Sequence, residues 1–518
     1  MGGSNEEKLS WKESLTVWTD PKVIAMLFLG FSAGIPLLLI FSTLSVWLRE
    51  AGVARAAVTF FSWAALGYSF KFIWAPVVDL MPLPLLTRKL GRRRSWLLVA
   101  QAAIICAIIW MASIDPADNI NNLTMMAMAA VMLGFSSATQ DIVIDAYRIE
   151  CSKTAMQAML ASTYIAGYRT GMLVAGAGSL FLASYLGTKT GSYSYSAWKV
   201  TYLCMAAVMM AGVVTTLFID EPEEGGKARH VYSVNEYLRF LLLFLLVISA
   251  FAVTFFYSAD YSTALKDSVA TLFPAGGKIT GFLVELLRFL FAVGAALVAA
   301  KIIELTGVVD PRMVRQTYIA PIKDFFVRYG GKTALVILLL VGFYRLSDIV
   351  LGVVSNVFYL DMGFSKNVIA GITKSFGLAM ILAGGFLGGM LTVRFGVNKI
   401  LFLGAFLSSI TNLLFMALAG SGTDVTMLTL VIAADNLSAG IATTAFIAFL
   451  SSLTSISFTA VQYAIFSSLM TLFPKLIGGY SGTMVSTMGY EKFFLITAVM
   501  GLPVLLLIWL VGRVLNEK

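Results

Sequence analysis

Five basic side chains lie within runs of apolar residues long enough to cross a lipid bilayer. They are Lys71, Arg169, Arg345, Lys374 and Lys475. A charge near the centre of a bilayer costs roughly 2.5 to 3.5 kcal/mol on insertion scales, so such a residue normally faces a partner, a water-filled cavity or a passing solute. The types and positions of these residues therefore predict a central cavity that attracts anions.

A second set of polar residues falls on one face of the fourth predicted span. Asp141, Asp145 and Arg148 are spaced i, i+4 and i+7, and Gln140 adjoins the first acid. We expect Asp145 and Arg148, near the helix end, to pair with the arginines at 92–94 and to clamp a cytoplasmic gate. Asp141 lies deeper, where it either exchanges a proton during a working cycle or forms a purely structural salt bridge. The candidate gate residues are Asp79, Arg92, Arg93, Arg94, Asp145 and Arg148.

Two further acids lie at a similar depth in the second half of the chain. The ninth predicted span places Arg345 and Asp348 one turn apart, and Asp435 lies in the twelfth. Asp348 is thus the competing candidate for a proton carrier. The five deep cations outnumber Asp141, Asp348 and Asp435, so the centre is nominally positive and would attract a solute bearing carboxylates. The candidate substrate-binding residues are Lys71, Gln140, Tyr164, Tyr168, Arg169, Arg345, Lys374, Asp435 and Lys475.

Two tyrosines accompany the cation of the fifth predicted span. Tyr164 and Tyr168 are four residues apart, so they share a helix face beside Arg169. Tyrosines that bound a cavity can stack on sugar rings and bind hydroxyl groups, whereas aromatic side chains in membrane helices also serve core packing. Both interpretations are open, and a guanidinium beside phenols suits a large polar anion.

The composition indicates a helical membrane protein that is not an enzyme. Of 518 residues, 59% are hydrophobic and 13% are charged, and the mean hydropathy is +0.86. Soluble domains carry about 25% charged residues. The net charge of +9 comes from basic residues in short loops, which indicates orientation in a membrane, not nucleic-acid binding. The single histidine and the lack of a phosphate-binding loop indicate no cofactor, no metal and no nucleotide hydrolysis.

Apolar runs divide the chain into fourteen predicted spans with both termini in the cytoplasm. Thr154–Ser162 and Thr459–Ser467 are identical at four of nine positions, which indicates a repeat. With two extra spans removed, six spans plus six in like orientation predict an all-α major facilitator fold, whose substrate site lies between the halves. The predicted segments are 1–22 (cytoplasmic), 23–219 (first six-helix bundle), 220–332 (linker with extra spans 236–258 and 279–304 and a cytoplasmic amphipathic stretch), 333–513 (second six-helix bundle) and 514–518 (cytoplasmic tail).

Several motifs resemble those of the AmpG muropeptide permeases. They are the runs 70–79, 91–96 and 138–146, with 30–36 in the first span and 167–172 in the fifth. The resemblance implies a multi-pass protein of the Gram-negative inner membrane that imports N-acetylglucosaminyl-1,6-anhydro-N-acetylmuramyl peptides with protons. These anhydromuropeptides feed peptidoglycan recycling and, in some bacteria, the induction of β-lactamase. A monomer is the usual expectation for this fold.

Two alternatives accompany this resemblance. The motifs are also similar to those of acetyl-CoA transporters, which carry another large anion, and a membrane sensor could bind muropeptides without moving them. One departure concerns the gate, because eleven residues separate Asp79 from Gly91, more than in the common facilitator pattern. We therefore expect a rearranged charge network there.

Overall fold

A computed structural model describes residues 17–53, 61, 68, 70–153, 156–188, 192–223, 232–272, 277–365 and 368–516. Within these ranges, eleven helical segments are long and apolar enough to cross a membrane. The chain separates into two compact units. The larger unit holds the described residues before Gly226 and those from Phe325 onward, and the smaller unit holds those from Gly226 to Asp324.

We call the first part of the larger unit the N-terminal half. It is helical, and several of its helices start with a polar N-cap residue. The Asp20 side chain accepts a hydrogen bond from Lys22 N ahead of the first helix, and Asn119 and Ser194 cap later helices in the same way. The helices are α1 (Pro21–Ile40), α2 (Ser42–Glu50), α3 (Ala75–Leu80), α4 (Leu86–Leu90), α5 (Arg92–Ala112), α6 (Ile120–Glu150), α7 (Gln157–Leu173), α8 (Ser179–Tyr185) and α9 (Tyr195–Phe218).

Glycines bring α1 and α7 into backbone contact. A Cβ on Gly30 would lie 2.1 Å from the carbonyl oxygen of Tyr164, and a Cβ on Gly34 would lie 2.0 Å from that of Tyr168. Small residues of this kind allow membrane helices to approach closely. The contact fixes the backbone that carries both tyrosines and the adjacent Arg169.

The smaller unit contains the helices of the predicted linker. Ser233 and Glu236 form a capping box at the start of its first helix. Arg288 donates hydrogen bonds of 2.9 and 2.6 Å to the carbonyl oxygen of Phe255, where that helix nears its end. The helices are α10 (Val234–Tyr257), α11 (Ala259–Leu272), α12 (Gly277–Leu305) and α13 (Pro311–Val314), and α14 (Ala320–Tyr329) crosses into the larger unit.

The remaining part of the larger unit, which we call the C-terminal half, has interrupted helices at its polar positions. Arg345 lies at the junction between two helices where the sequence predicts one span, and a π-helical segment, Ile369–Phe376, carries Lys374. The helices are α15 (Gly331–Phe343), α16 (Leu346–Asp361), α17 (Gly377–Phe395), α18 (Val397–Gly420), α19 (Val425–Leu453), α20 (Thr459–Gly478), α21 (Ser481–Val499) and α22 (Gly501–Asn516).

The described helices agree with the predicted helical membrane class. The second predicted span, 56–79, lies mostly outside the described residues. The fifth, 156–184, is divided into α7, a π-helical turn (Val174–Gly178) and α8. The count of fourteen spans and the predicted segment boundaries stay predictions.

Candidate functional site

One end of the larger unit carries a network centred on Arg93, and we call it the basic end. Arg93 Nη2 lies 2.7 Å from Asp79 Oδ1 and 2.5 Å from Glu150 Oε1. The Thr459 hydroxyl of α20 donates a hydrogen bond of 2.6 Å to Glu150 Oε1. Asp79 and Arg93 thus meet despite the eleven residues between Asp79 and Gly91, and Glu150 and Thr459, which the sequence did not single out, connect the two halves.

The two arginines beside Arg93 bind backbone oxygens. Arg92 Nη1 donates to the carbonyl of Asp79 at 2.8 Å, and Arg94 Nη2 donates to that of Leu217 at 2.7 Å, at the end of α9. A cation stabilises the carbonyls at a helix C-terminus. These contacts hold the start of α5 against its neighbours.

A carboxylate covers the start of α5 in return. The Glu221 side chain accepts hydrogen bonds from the backbone N–H groups of Arg93 and Arg94 at 2.7 and 3.0 Å. Burial raises the pKa of Glu221, and the two backbone N–H groups oppose that rise. Gly91 has a φ of +83° there, and a Cβ on it would lie 2.3 Å from Glu221 Cδ.

The expected pairing of Asp145 and Arg148 with the arginines at 92–94 is wrong. Arg148 Nη2 lies 3.6 Å from Asp145 Oδ1, and Asp145 Oδ2 lies 3.3 Å from Lys71 Nζ. The reason is helical geometry, because Asp145 lies more than one turn before Glu150, which is the residue that reaches Arg93.

Arg148 connects the halves from a fully buried position. Its Nη1 donates to Gln157 Oε1 at 3.1 Å and to the Ser451 hydroxyl of α19 at 2.8 Å. Its guanidinium also lies 5.1 Å from the centre of the Tyr463 ring in α20. A buried charge is costly to leave unpaired, so breaking these contacts between the halves would be costly.

Deeper in the N-terminal half, polar side chains lack partners. Gln140 is fully buried, and neither its Oε1 nor its Nε2 has a hydrogen-bond partner among the described residues. The same holds for Asp141 Oδ1. Asp141 lies close enough to Lys71 and Asp145 to interact with them electrostatically. Lys71 is thus shared by two acids and is not a free cation.

Tyr164, Tyr168 and Arg169 lie together, as the sequence predicts for one face of α7. The two tyrosine rings have centroids 6.0 Å apart. Arg169 follows and is only partly buried, and no acidic partner to it is found in the described part of the chain. It lies within electrostatic reach of Arg345 from the opposite half. Two guanidinium groups, one from each half, therefore lie within electrostatic range of each other.

The acids of the C-terminal half face α18. Arg345 Nε lies 3.8 Å from Asp348 Oδ2, and the Ser408 hydroxyl donates a hydrogen bond to Asp348 Oδ1. The Thr411 hydroxyl lies 3.4 Å from Asp435 Oδ1. The hydroxyl partners on α18 were not found from the sequence, because serine and threonine are common in membrane helices.

Two of the five predicted deep cations are exposed. Lys374 Nζ donates to Asn356 Oδ1 at 2.9 Å, and Lys475 follows Pro474 in α20. Among the described residues, the structure gives neither lysine a contact with Arg169. No group of three potential metal ligands occurs in the described ranges.

Comparisons with known proteins identify transporters. A family model described as acetyl-coenzyme A transporter 1 matches residues 22–190. The putative transporter AmpG 4 of Rickettsia conorii is 31% identical over 500 residues, which cover 96% of this chain and 99% of that protein. The anhydromuropeptide permease of Escherichia coli K12 is 26% identical over 495 residues, which cover 95% of this chain and 80% of that protein.

A solved structure supplies the fold. The Escherichia coli fucose:proton symporter matches with a TM-score of 0.60 and 10% identity, over 95% of this chain and 99% of that chain. Identity this low shows the fold alone, and the fold is that of the major facilitator superfamily. The identity to the Rickettsia conorii protein extends over almost the whole of both chains. This chain therefore belongs to the AmpG family of membrane transporters.

Proposed function

We propose that this protein imports anionic anhydromuropeptides from the periplasm to the cytoplasm together with protons. The observation that carries the proposal is that Arg169 and Arg345, from opposite halves, lie within electrostatic range of each other, and that no acidic partner to Arg169 is found among the described residues. The two guanidinium groups repel each other, and in the described residues only Asp348, 3.8 Å from Arg345, partly offsets them. A substrate carboxylate would supply the missing counter-ion, because a guanidinium binds carboxylates with two parallel hydrogen bonds.

The relatives and the side chains around Arg169 support this substrate. The Escherichia coli relative is an anhydromuropeptide permease. The sugars and peptide carboxylates of an anhydromuropeptide would suit a site with both phenols and cations. Tyr164 and Tyr168 lie beside Arg169 and would contact the sugar rings. Proton coupling is supported by the fucose:proton symporter, which shares the fold.

The proposed topology has fourteen spans in the inner membrane, with both termini in the cytoplasm. It comprises two six-helix bundles, 23–219 and 333–513, with two extra spans between them, and it acts as a monomer. The basic end is then cytoplasmic, as the concentration of arginines at 92–94 favours. Because Arg148 and Glu150 bind the opposite half at this end, substrate would enter from the periplasmic end.

The candidate residues then have separate roles. The cytoplasmic gate is held by Asp79, Arg93, Asp145 and Arg148. Arg92 and Arg94 bind backbone carbonyls at neighbouring helix ends. Arg169 and Arg345 bind the anion, and the buried, unpartnered Gln140 is a further candidate to bind substrate. Asp141 and Asp348 are the carboxyl groups that the sequence nominates for the proton.

The test is uptake of radiolabelled anhydromuropeptide into proteoliposomes, with and without an inward proton gradient. Accumulation that requires the gradient is expected, and unlabelled acetyl-CoA should not compete. Accumulation without any gradient would disprove proton coupling. No accumulation in either condition would disprove import of this substrate.

A second candidate substrate is acetyl-CoA, which the match of residues 22–190 to the acetyl-coenzyme A transporter model favours. Its phosphates would also bind between two arginines. If acetyl-CoA inhibits muropeptide uptake and labelled acetyl-CoA is itself taken up, acetyl-CoA becomes the favoured substrate in place of the muropeptide. Saturable muropeptide binding without uptake would instead indicate a sensor.

A further inference from the structure

Two carboxyl groups face one side of α18 inside the C-terminal half. Asp348 of α16 accepts a hydrogen bond from Ser408, and Asp435 of α19 lies 3.4 Å from the Thr411 hydroxyl. Ser408 and Thr411 are three residues apart, so they lie on the same face of α18. The two acids are close enough to interact electrostatically. They therefore form one coupled pair.

This pair has one cation for two carboxyl groups. Arg345 lies beside Asp348, at 3.8 Å, and none of the ion pairs in the described part of the chain involves Asp435. The Lys374 ammonium group bonds to Asn356, outside the pair. Two neighbouring, partly buried carboxylates disfavour double ionisation, which favours a proton on one of them.

The remaining charged and titratable groups around the pair do not change this count. From α7, Arg169 interacts with Arg345 across the halves. From α16, Tyr359 lies close to Asp435 and is a neutral phenol at neutral pH. The neighbour of Asp435 on α18 is Thr411, which carries no charge.

The single cation of the pair lies beside Asp348, which favours Asp435 as the protonated acid, and Thr411 offsets this only weakly. The Thr411 hydroxyl lies 3.0 Å from the carbonyl oxygen of Ser408 and 3.4 Å from Asp435 Oδ1. A hydroxyl has one hydrogen, and a backbone carbonyl can only accept, so the shorter contact uses that hydrogen. Thr411 therefore donates to Asp435 only over a long contact of 3.4 Å, which stabilises a carboxylate there poorly. Ser408 already donates to Asp348, which lies beside Arg345.

We propose that Asp435 is the proton-carrying residue of the C-terminal half, and this rests on the proposed proton-coupled function. Asp435 takes a proton from water at the periplasmic end and releases it to water at the cytoplasmic end when the gate opens. Asp348 holds Arg345 in place and does not carry the proton. This reverses the roles that the sequence suggests, in which Asp348 is a proton carrier and Asp435 a substrate ligand.

Infrared spectroscopy of the full chain in lipid tests the proton without any substrate. A protonated carboxyl group has a carbonyl stretching band that a carboxylate lacks. At neutral pH we expect Asp435→Asn to remove such a band and Asp348→Asn to retain one. The Asp435 band disappears when the pH is raised until the carboxyl group loses its proton. In Asp348→Asn and in Thr411→Val, this should happen at a different pH than in the unmodified protein, because each change removes a neighbour of the Asp435 carboxyl group. A band unaffected by Asp435→Asn would overturn the proposal.

Transport assays then test whether this proton is carried. In Asp435→Asn vesicles, exchange of labelled for unlabelled substrate should continue, whereas gradient-driven accumulation should be lost, because the variant stays in the neutral form. Normal accumulation by this variant would overturn the carrying role. If the unmodified protein accumulates nothing, the proposed function fails by itself, and the infrared result still decides the protonation of Asp435.

Discussion

Arg148, near the end of α6, donates a hydrogen bond of 2.8 Å to the hydroxyl of Ser451 in α19 and so connects the two halves. The same guanidinium lies 3.6 Å from Asp145, which also binds Lys71. Lys71 and Asp145 thus connect the buried acids of the N-terminal half to Arg148 and, through it, to the opposite half. In the proposed transport cycle, opening of this end would break the bond between Arg148 and Ser451.

The first prediction is that Arg148→Gln opens the basic end, with the native thiol of Cys151 as the reporter. Cys151 is buried one turn from Arg148, and its Sγ lies 3.4 Å from the Arg148 carbonyl oxygen. In a background with Cys106→Ser and Cys204→Ser, Arg148→Gln should accelerate maleimide labelling of Cys151. Ser451→Ala should have a smaller effect in the same direction, because it removes one of the bonds of Arg148.

The pH dependence of that labelling provides a control. Burial raises the pKa of the Cys151 thiol to about 11, so the closed form has about 100-fold less of the reactive thiolate at neutral pH than an ordinary thiol. Labelling of the unmodified protein should therefore keep rising as pH approaches 11, and labelling of the opened variant should level off earlier. Arg239→Gln, on the exposed face of α10, should behave as the unmodified protein. Equal rates for Arg148→Gln and Arg239→Gln would contradict the gate assignment.

The helices could be predicted from the sequence, whereas most partners of their polar side chains could not. Apolar length locates α5 and α6, and the spacing of Asp145 and Arg148 places them on one face. Which acid reaches Arg93 depends on how α6 packs against α5, and no periodicity within one helix encodes that distance. Glu150 therefore takes the role that the spacing assigned to Asp145.

The second prediction concerns the two arginines between the halves. Arg169→Gln and Arg345→Gln should each weaken muropeptide binding roughly 10- to 100-fold, because a hydrogen bond to a charged group contributes about 1.5 to 3 kcal/mol. If one carboxylate bridges both groups, the double variant should bind little worse than either single variant. Equilibrium binding of labelled substrate to purified protein measures this, with Arg239→Gln as the matched control. Independent, fully additive losses would show that the arginines bind separate groups.

The backbone around Arg345 is irregular in a way that the sequence does not reveal. The ninth predicted span reads as one continuous helix, yet α15 ends and α16 begins around Arg345. Lys374 is equally deep by its position in an apolar run, but its π-helical segment leaves it exposed and bonded to Asn356. Hydropathy gives the depth of a residue, and the direction of its side chain depends on such local departures from the α-helix.

The third prediction concerns stability at the contact of α1 with α7. A Cβ on Gly167 would lie 1.9 Å from the carbonyl oxygen of Leu27, so Gly167→Ala should lower the free energy of unfolding by about 1 to 3 kcal/mol or more. Gly352→Ala, in α16, meets no atom within 4 Å and should instead stabilise by about 0.5 to 1 kcal/mol, as alanine does in a helix. Unfolding in detergent, followed by tryptophan fluorescence, compares the two. Equal stability of the two variants would contradict the tight packing.

The fourth prediction is that the stability lost when Lys71, the cation shared by Asp141 and Asp145, is replaced can be partly restored by also removing the charge of Asp141. Lys71 and Asp145 have side-chain exposures of only 9% and 12%, and breaking a buried ion pair costs about 3 to 5 kcal/mol. Lys71→Gln should therefore lower both thermal stability and uptake, because two buried acids are left with Arg148 alone.

A second substitution in the same protein tests the electrostatic cause. Adding Asp141→Asn to Lys71→Gln removes the repulsion between the carboxylates, and part of the lost stability should return. Uptake driven by the proton gradient should return as well if Asp435 carries the proton, whereas it should stay absent if Asp141 does. A double variant no more stable than Lys71→Gln would show that Lys71 acts through packing and not through its charge.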